Sequence, residues 1–153
     1  MKIRKATIKD IPQIVRLLHK YDLYENNLDK RHKIDSIKEI TLFNKKVIKN
    51  ENVVFLVLES NNKLEGVIRG EDRITAIGKQ AIFHVFFISE EARGKGYGKR
   101  MLKELISYFK KRGCNQIKSF VYINNKRSLK FYKELGFKYE EGYSISKKLR
   151  GYN

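Results

Sequence analysis

The chain has 153 residues, 41% hydrophobic and 12% aromatic, with one proline and ten glycines, which is enough apolar material for one core and excludes a disordered or fibrous chain. Lysine and arginine number 34 against 17 acidic residues, a formal charge of +17 that favours anionic ligands, but lysine is spread along the whole sequence, so charge alone does not mark a nucleic-acid surface. Cys114 is the only cysteine and His19, His32 and His84 lack metal-ligand spacing, which excludes an intramolecular disulfide and a cysteine-rich zinc site and leaves no metal expected.

From the N-terminus, Lys2–Thr7 alternates like an edge strand, and Asp10 stands where a cap is needed before Ile11, Ile14, Val15, Leu17 and Leu18 at helical spacing. A polar stretch from Asp22 to Lys33 separates this helix from a second one over Ile34–Asn50. Val53–Glu59 is an apolar, β-branched strand, Asn61-Asn62 is a hairpin turn and Lys63–Asp72 is its partner strand. A further strand, Gln80–Ile88, leads into a glycine-rich turn. Gly96–Arg112 reads as an amphipathic helix burying Met101, Leu102, Leu105, Ile106 and Phe109, ended by Gly113. Ile117–Ile123 returns to strand, Asn124 or Asn125 caps a helix over Arg127–Leu135, and Gly136 ends it. Phe137–Glu140 and Tyr143–Leu149 form a terminal hairpin around Glu141-Gly142. The order β-α-α-β-β-β-α-β-α-β-β predicts a single α/β domain over residues 1–153, with a sheet of mixed direction. Neither Val53–Leu58 nor Ala81–Ile88 approaches the roughly 20 apolar residues of a membrane helix, and Met1–Ala6 is basic with no apolar stretch after it, so a cytoplasmic protein without a membrane partner is expected.

The chemistry concentrates in Arg93-Gly94-Lys95-Gly96-Tyr97-Gly98, between a strand and a helix start. Glycines allow positive φ and close backbone approach, and the first N–H groups of a helix have no internal partner, so they point at an anion. Arg93, Lys95, Lys99 and Arg100 add positive charge to the positive end of the helix dipole. A P-loop is excluded because Gly98 is followed by Lys99-Arg100 rather than Lys-Ser/Thr, and a dinucleotide fingerprint because the glycines fall at 94, 96 and 98. The turn suits a pyrophosphate.

The R-x-x-G-x-G of Arg93 to Gly98, followed by the run from Asn125 to Phe137 with Tyr132 and Gly136, and the element order around them resemble the GNAT superfamily of N-acetyltransferases over nearly the whole chain. The resemblance implies a mostly antiparallel mixed sheet whose fourth and fifth strands splay apart, and acetyl-CoA as co-substrate with no metal. It puts the pyrophosphate on the backbone of Arg93, Gly94, Lys95, Gly96, Tyr97 and Gly98, with Lys99 beside it. It lays the pantetheine arm along the backbone of Phe86, Phe87 and Ile88, with Asn125 bonded to it, and brings Tyr132 near the sulfur. A phenol of pKa about 10 can hand a hydrogen bond or proton to a departing thiolate. Asn125 is equally readable as a helix cap; Tyr132 is also readable as a core aromatic, but its register with Asn125 favours the role near the sulfur.

An alkyl ammonium is deprotonated in only about one molecule per few thousand at pH 7, so attack on a thioester needs a proton acceptor. Where many relatives carry a glutamate, this sequence has His84 or Ile82 on the fourth strand and Phe120 on the fifth. His84 is therefore the candidate base, its ordinary pKa near 6.5 suiting proton transfer at neutral pH; a histidine satisfied within the sheet, with water as base, is the alternative. In this fold the acceptor site draws on the loop after the first helix and on the terminal hairpin, here Tyr21, Tyr24, Glu25 and Asp29, then Glu140, Glu141 and Tyr143. With His84 they offer carboxylates and phenols to a cationic amine. Two functions stay open: acetyl transfer to the primary amine of a small molecule or protein, and a non-catalytic module binding CoA, RNA or protein. A monomer or a homodimer is compatible with either.

Overall fold

The apolar run Val53–Leu58 shows no polar alternation because it lies inside a sheet covered on both faces. The computed structural model describes residues 1–140. Its five strands, β1 (Lys2–Lys5), β2 (Val53–Ser60), β3 (Lys63–Thr75), β4 (Gly78–Ile88) and β5 (Gln116–Lys118), lie in sequential order across one sheet. β1 to β4 pair antiparallel and β5 joins β4 in parallel, giving the mixed, mostly antiparallel sheet expected of the fold. Helices α1 (Ile11–Leu28) and α2 (Ile37–Val47) pack on one face, α3 (Tyr97–Lys111) and α4 (Lys126–Glu134) on the other. No helix among the described residues is long and apolar enough to cross a membrane.

Each face has its own core. Phe55, Val57, Val67, Val85 and Phe87 meet Ile14, Val15, Leu18 and Ile40 on one side. Leu56, Leu58, Ile68, Ala81 and Phe83 meet Met101, Leu102, Leu105, Phe109 and Tyr132 on the other. Asn61 and Asn62, at φ of 49° and 61°, make the tight turn between β2 and β3. Opposite Arg69 and Gly70 the register jumps from Val85 to Phe83, so His84 is the extra residue of a β-bulge. Gly70 is required there: an added Cβ would stand 2.9 Å from the Ile82 carbonyl oxygen and 2.9 Å from the Phe109 ring.

Four sequence expectations change. α1 runs through Leu28 rather than ending in a polar stretch at Asp22, because Tyr21 and Glu25 continue the inward stripe of Ile14 and Leu18. α2 is shorter than Ile34–Asn50: Ser36 and Glu39 form a capping box that fixes its start at Ile37. β5 is Gln116–Lys118 and shares only Ile117 and Lys118 with the expected Ile117–Ile123, because beyond Lys118 the chain leaves β4. Phe137–Glu140 carries no strand among the described residues, and its partner Tyr143–Leu149 lies outside them.

The first helix, which brings three residues to the site, is anchored at its start by one charge cluster. Arg4 donates two hydrogen bonds to Asp10, at 2.8 and 2.9 Å, and one to Glu59 at 2.6 Å. Hydrogen bonding from Arg4, opposed by burial, holds the Asp10 carboxyl at about 2 instead of 3.8. A depressed carboxyl stabilises the fold above its unfolded pKa, and that contribution is lost as pH falls through the folded value. Between about pH 4 and 2 the protein is expected to lose about 2 kcal/mol from this site. Urea titrations at stepped pH will show the loss, and Asp10→Asn is expected to carry it already at pH 7 and to flatten that part of the profile.

Candidate functional site

β4 and β5 pair only from Gln80 to Ile82 against Gln116 to Lys118, after which Ser119 Oγ closes the seam on the Phe83 carbonyl at 2.9 Å. From His84 to Ile88 the β5-facing edge of β4 has no strand partner among the described residues. Below the fork Phe83, Tyr132 and Phe137 pack as three rings with centroids 5.4 to 6.3 Å apart. Above it opens a cleft of about 410 Å³ bounded by β4, the glycine turn, α4 and the end of α1.

The floor of the cleft is the turn. A short 3-10 segment, Glu90–Ala92, turns the chain after Ser89, and Gly94 and Gly96 take φ of 74° and 78°. Gly96 is the N-cap of α3 and no side chain caps it. The first helical bond runs from Arg100 N to the Gly96 carbonyl, so the N–H groups of Tyr97, Gly98 and Lys99 have no partner within the helix. With the dipole behind them they are suited to an anion. Arg93 differs from expectation: its own N–H bonds Glu90 O, while its guanidinium donates to the Ile88 carbonyl at 2.8 Å and lies over the Tyr24 and Phe87 rings. The Lys95 side chain turns back to the Glu91 carbonyl and leaves the cleft, and Arg100 stacks on Tyr97. Phe86, Phe87, Ile88, Arg93, Gly94, Gly96, Tyr97, Gly98, Lys99, Asn125 and Tyr132 all line the cleft.

The opposite wall joins α1 to α4. Asn125 is both cap and wall: its Oδ1 accepts from Ser128 N at 3.0 Å and from Tyr24 OH at 3.4 Å, and its Nδ2 donates to Glu25 Oε1 at 3.5 Å. Glu25 is 7% exposed. Burial pushes its carboxyl up; the nearby His32 and the Asn125 hydrogen bond pull partly against this. Tyr132 is 8% exposed, and burial and then the Glu25 charge push its phenol well above the usual range. It stays protonated at any ordinary pH, a donor and not a base.

His84 lies on a narrow notch that continues the cleft through Tyr21, Glu25, Phe86, Asn125, Ser128 and Tyr132. Its side chain is 41% exposed and its Nε2 is 3.0 Å from Glu71 Oε1. Asp29 pairs with Arg31, and Glu140 with Lys118. Glu141 and Tyr143 lie outside the described residues. Sequence reasoning missed Ser128, Phe131 and Arg127 on the cleft wall and the Asp22–His32–Tyr122 bridge behind it. Ser128 stands at helical spacing between Asn125 and Tyr132, so periodicity alone could have found it; the bridge joins positions far apart in sequence and had no local signal.

The sequence profile of the acetyltransferase (GNAT) family matches residues 18–137. The chain is 33% identical over 98 residues to an uncharacterised N-acetyltransferase of Methanocaldococcus jannaschii, a match covering 62% of this chain and 43% of that protein. It is 38% identical over 55 residues to the spermine/spermidine N(1)-acetyltransferase of Bacillus subtilis, covering 35% of this chain and 36% of that one. The match therefore spans less than half the length of either curated relative. The aminoglycoside 6′-N-acetyltransferase of Acinetobacter haemolyticus superposes with a TM-score of 0.81 over 98% of this chain and 100% of its own at 16% identity, a likeness of fold.

The turn separates two kinds of glycine. Gly96→Ala puts a side chain at φ 78° and is expected to lose about 1–2 kcal/mol, read by urea denaturation. Gly98 has no positive φ, and a Cβ there meets Phe86 and Phe131 at 3.5 Å or more, so Gly98→Ala is expected to be at least as stable as the parent.

Proposed function

Because the chain belongs to the acetyltransferase (GNAT) family, we propose that it transfers an acetyl group from acetyl-CoA to a primary amine by direct attack with both substrates bound. The observation that carries this reading is the cleft: an anion seat at the start of α3 and a buried phenol, Tyr132, line one continuous cavity along an unpaired edge of β4. Acetyl-CoA supplies the acetyl group as a thioester, whose sulfur leaves when an amine takes the carbonyl carbon.

The chain's residues fit that co-substrate in three ways. Free N–H groups of Tyr97, Gly98 and Lys99, under the Lys99 charge, suit a pyrophosphate. The open edge from His84 to Ile88 offers backbone groups to an extended arm with amide bonds, as a neighbouring strand would. Tyr132, held protonated by its burial, offers a donor where negative charge gathers on sulfur. Positioning and electrostatics of this kind account for most of what such a site must supply.

The acceptor enters by the wall that α1 and α4 share. Tyr21 and Tyr24 offer apolar faces and Glu25 a carboxylate, a combination that suits a cationic alkyl amine. The Bacillus subtilis relative acts on spermine and spermidine by name, which makes a polyamine the first acceptor to try, ahead of an aminoglycoside and a peptide amine.

The test is release of free thiol from acetyl-CoA in the presence of spermidine, sisomicin or a lysine peptide. Tyr132→Phe is expected to lower kcat by roughly 10²-fold or more while the acetyl-CoA Kd, measured by calorimetry, stays within about twofold. Saturating acetyl-CoA near a hundredfold over Kd is expected to add about 2.7 kcal/mol to stability, well beyond an inorganic polyphosphate control. Binding without thiol release from any amine would instead favour a non-catalytic CoA-binding module.

A further inference from the structure

We infer that Glu25, on the last turns of α1, is the group that takes the proton from the acceptor ammonium, and that His84 is not; the inference rests on the reading of the chain as an amine acetyltransferase. Glu25 is a carboxylate at 7% exposure that forms no ion pair among the described residues. Its one hydrogen bond there, from Asn125 Nδ2, is 3.5 Å long. An ionised carboxylate has about four acceptor sites and is costly to bury without partners. The carboxylate lines both the cleft and the notch, the place where a cation arriving from outside would complete its coordination.

The groups facing Glu25 fit that role. From α1 come Tyr21 and Asp22, from the loop after it His32, from α4 Asn125 and Tyr132, and from the chain beyond β5 Tyr122; His84 shares only the notch. Tyr21 and Tyr132 are kept protonated by burial and by the Glu25 charge, so neither competes as base. Glu25 and Tyr132 line both the cleft and the notch, so proton acceptor and proton donor share one cavity. His32 Nε2 is 3.2 Å from Asp22 and its Nδ1 is 3.1 Å from Tyr122 OH, so it ties Asp22, on the helical turn before Glu25, to the chain beyond β5. His84 is 41% exposed, with its Nε2 already on Glu71.

The step balances without another reagent. The ammonium R–NH3⁺ first pairs with the Glu25 carboxylate and gives it one proton. The freed lone pair forms the C–N bond to the acetyl carbon as the C–S bond breaks. The second N–H proton ends on the departing sulfur, passed through the Tyr132 hydroxyl, and Glu25 returns its proton to water. Burial raises the carboxyl toward the amine's own pKa, narrowing the gap the transfer must climb.

A carboxylate whose pKa is raised by folding destabilises the protein at every pH above that raised value, because its ionised form is the one that burial penalises. A base kept for catalysis therefore gives up stability, and a structural carboxylate does not.

The experiment compares wild type, Glu25→Gln and Glu25→Asp with acetyl-CoA and spermidine across pH, together with melting temperature and acetyl-CoA affinity. Glu25→Gln is expected to lose about 10²–10⁴-fold in kcat/KM near pH 7 and to lose the acid limb set by Glu25, its low residual rate instead following the free amine in solution upward with pH without levelling off near neutrality. It is expected to melt at or above the wild-type temperature at pH 7 and to keep the acetyl-CoA Kd. Glu25→Asp is expected to restore part of the rate and the acid limb. Undiminished kcat/KM in Glu25→Gln, or a lowered melting temperature with weakened acetyl-CoA binding, would overturn the assignment. So would an acid limb lost in His84→Gln and kept in Glu25→Gln. No thiol release by the wild type with any amine would overturn the acetyltransferase reading, and this inference with it.

Discussion

The fork between β4 and β5 is the constraint on which the rest of the structure depends. The two strands share three pairs, Gln80 to Ile82 with Gln116 to Lys118, and the Gln80 amide donates to Gln116 at 2.9 Å across them. Backbone that leaves a ladder needs other partners, and side chains that leave a sheet face must be packed elsewhere. Ser119 meets the first need by bonding the Phe83 carbonyl, and the Phe83, Tyr132 and Phe137 rings meet the second by filling the wedge. The same wedge sets α4 at an angle that turns Asn125, Ser128 and Tyr132 into the cleft. The cleft is thus a by-product of how the fork is filled, and Tyr132 serves packing and site together.

Charge is arranged along the cleft more informatively than over the surface. At one end the start of α3 presents unpaired N–H groups with Lys99 beside them; at the other stands the buried carboxylate of Glu25. On the proposed reading an anionic co-substrate and a cationic acceptor each meet complementary charge in one cavity, which Tyr132 also lines. Much of the formal +17 sits on side chains exposed to water, where salt screens it over about 10 Å.

The first helix is held at both ends, which gives the cleft wall it shares with α4 its position. Arg4, Asp10 and Glu59 fasten its start to β1 and β2. At its far end Asn124 donates to the Leu28 carbonyl and Asn26 to the His32 carbonyl, while His32 bridges Asp22 and Tyr122. These polar ties join α1 to the segment between β5 and α4, across the fork. A residue such as Glu25 can stay buried and aimed only if the helix that bears it cannot roll, and the ties at both ends prevent that.

Much of this was legible in the sequence where the signal is local. The glycine turn, the cap at Asn125, the Asn61-Asn62 hairpin and the stripes of α1 and α3 each rest on interactions within a few residues, so chain order alone specifies them. The order of elements and the mixed sheet followed from the same stripes and turns. What the sequence could not show is where partners come from far along the chain. Ile117–Ile123 is rich in β-branched and aromatic residues, yet the chain leaves the sheet after Lys118, because pairing with β4 is a tertiary choice made by the aromatic wedge and not by strand propensity. His84 looked like the reactive histidine of β4, but a bulge opposite Arg69 and Gly70 leaves it unpaired and Glu71 takes it up. Glu25 was readable as a candidate acceptor-site carboxylate in a polar stretch; only the meeting of α1 with α4 buries it in the cleft that Tyr132 also lines. The sequence by itself determined most of the elements and the glycine turn with its uncapped helix start, since these depend on short-range backbone geometry. The tertiary structure alone decided which acid, phenol and histidine share one cavity, because burial and charge proximity are properties of packing between segments some hundred residues apart.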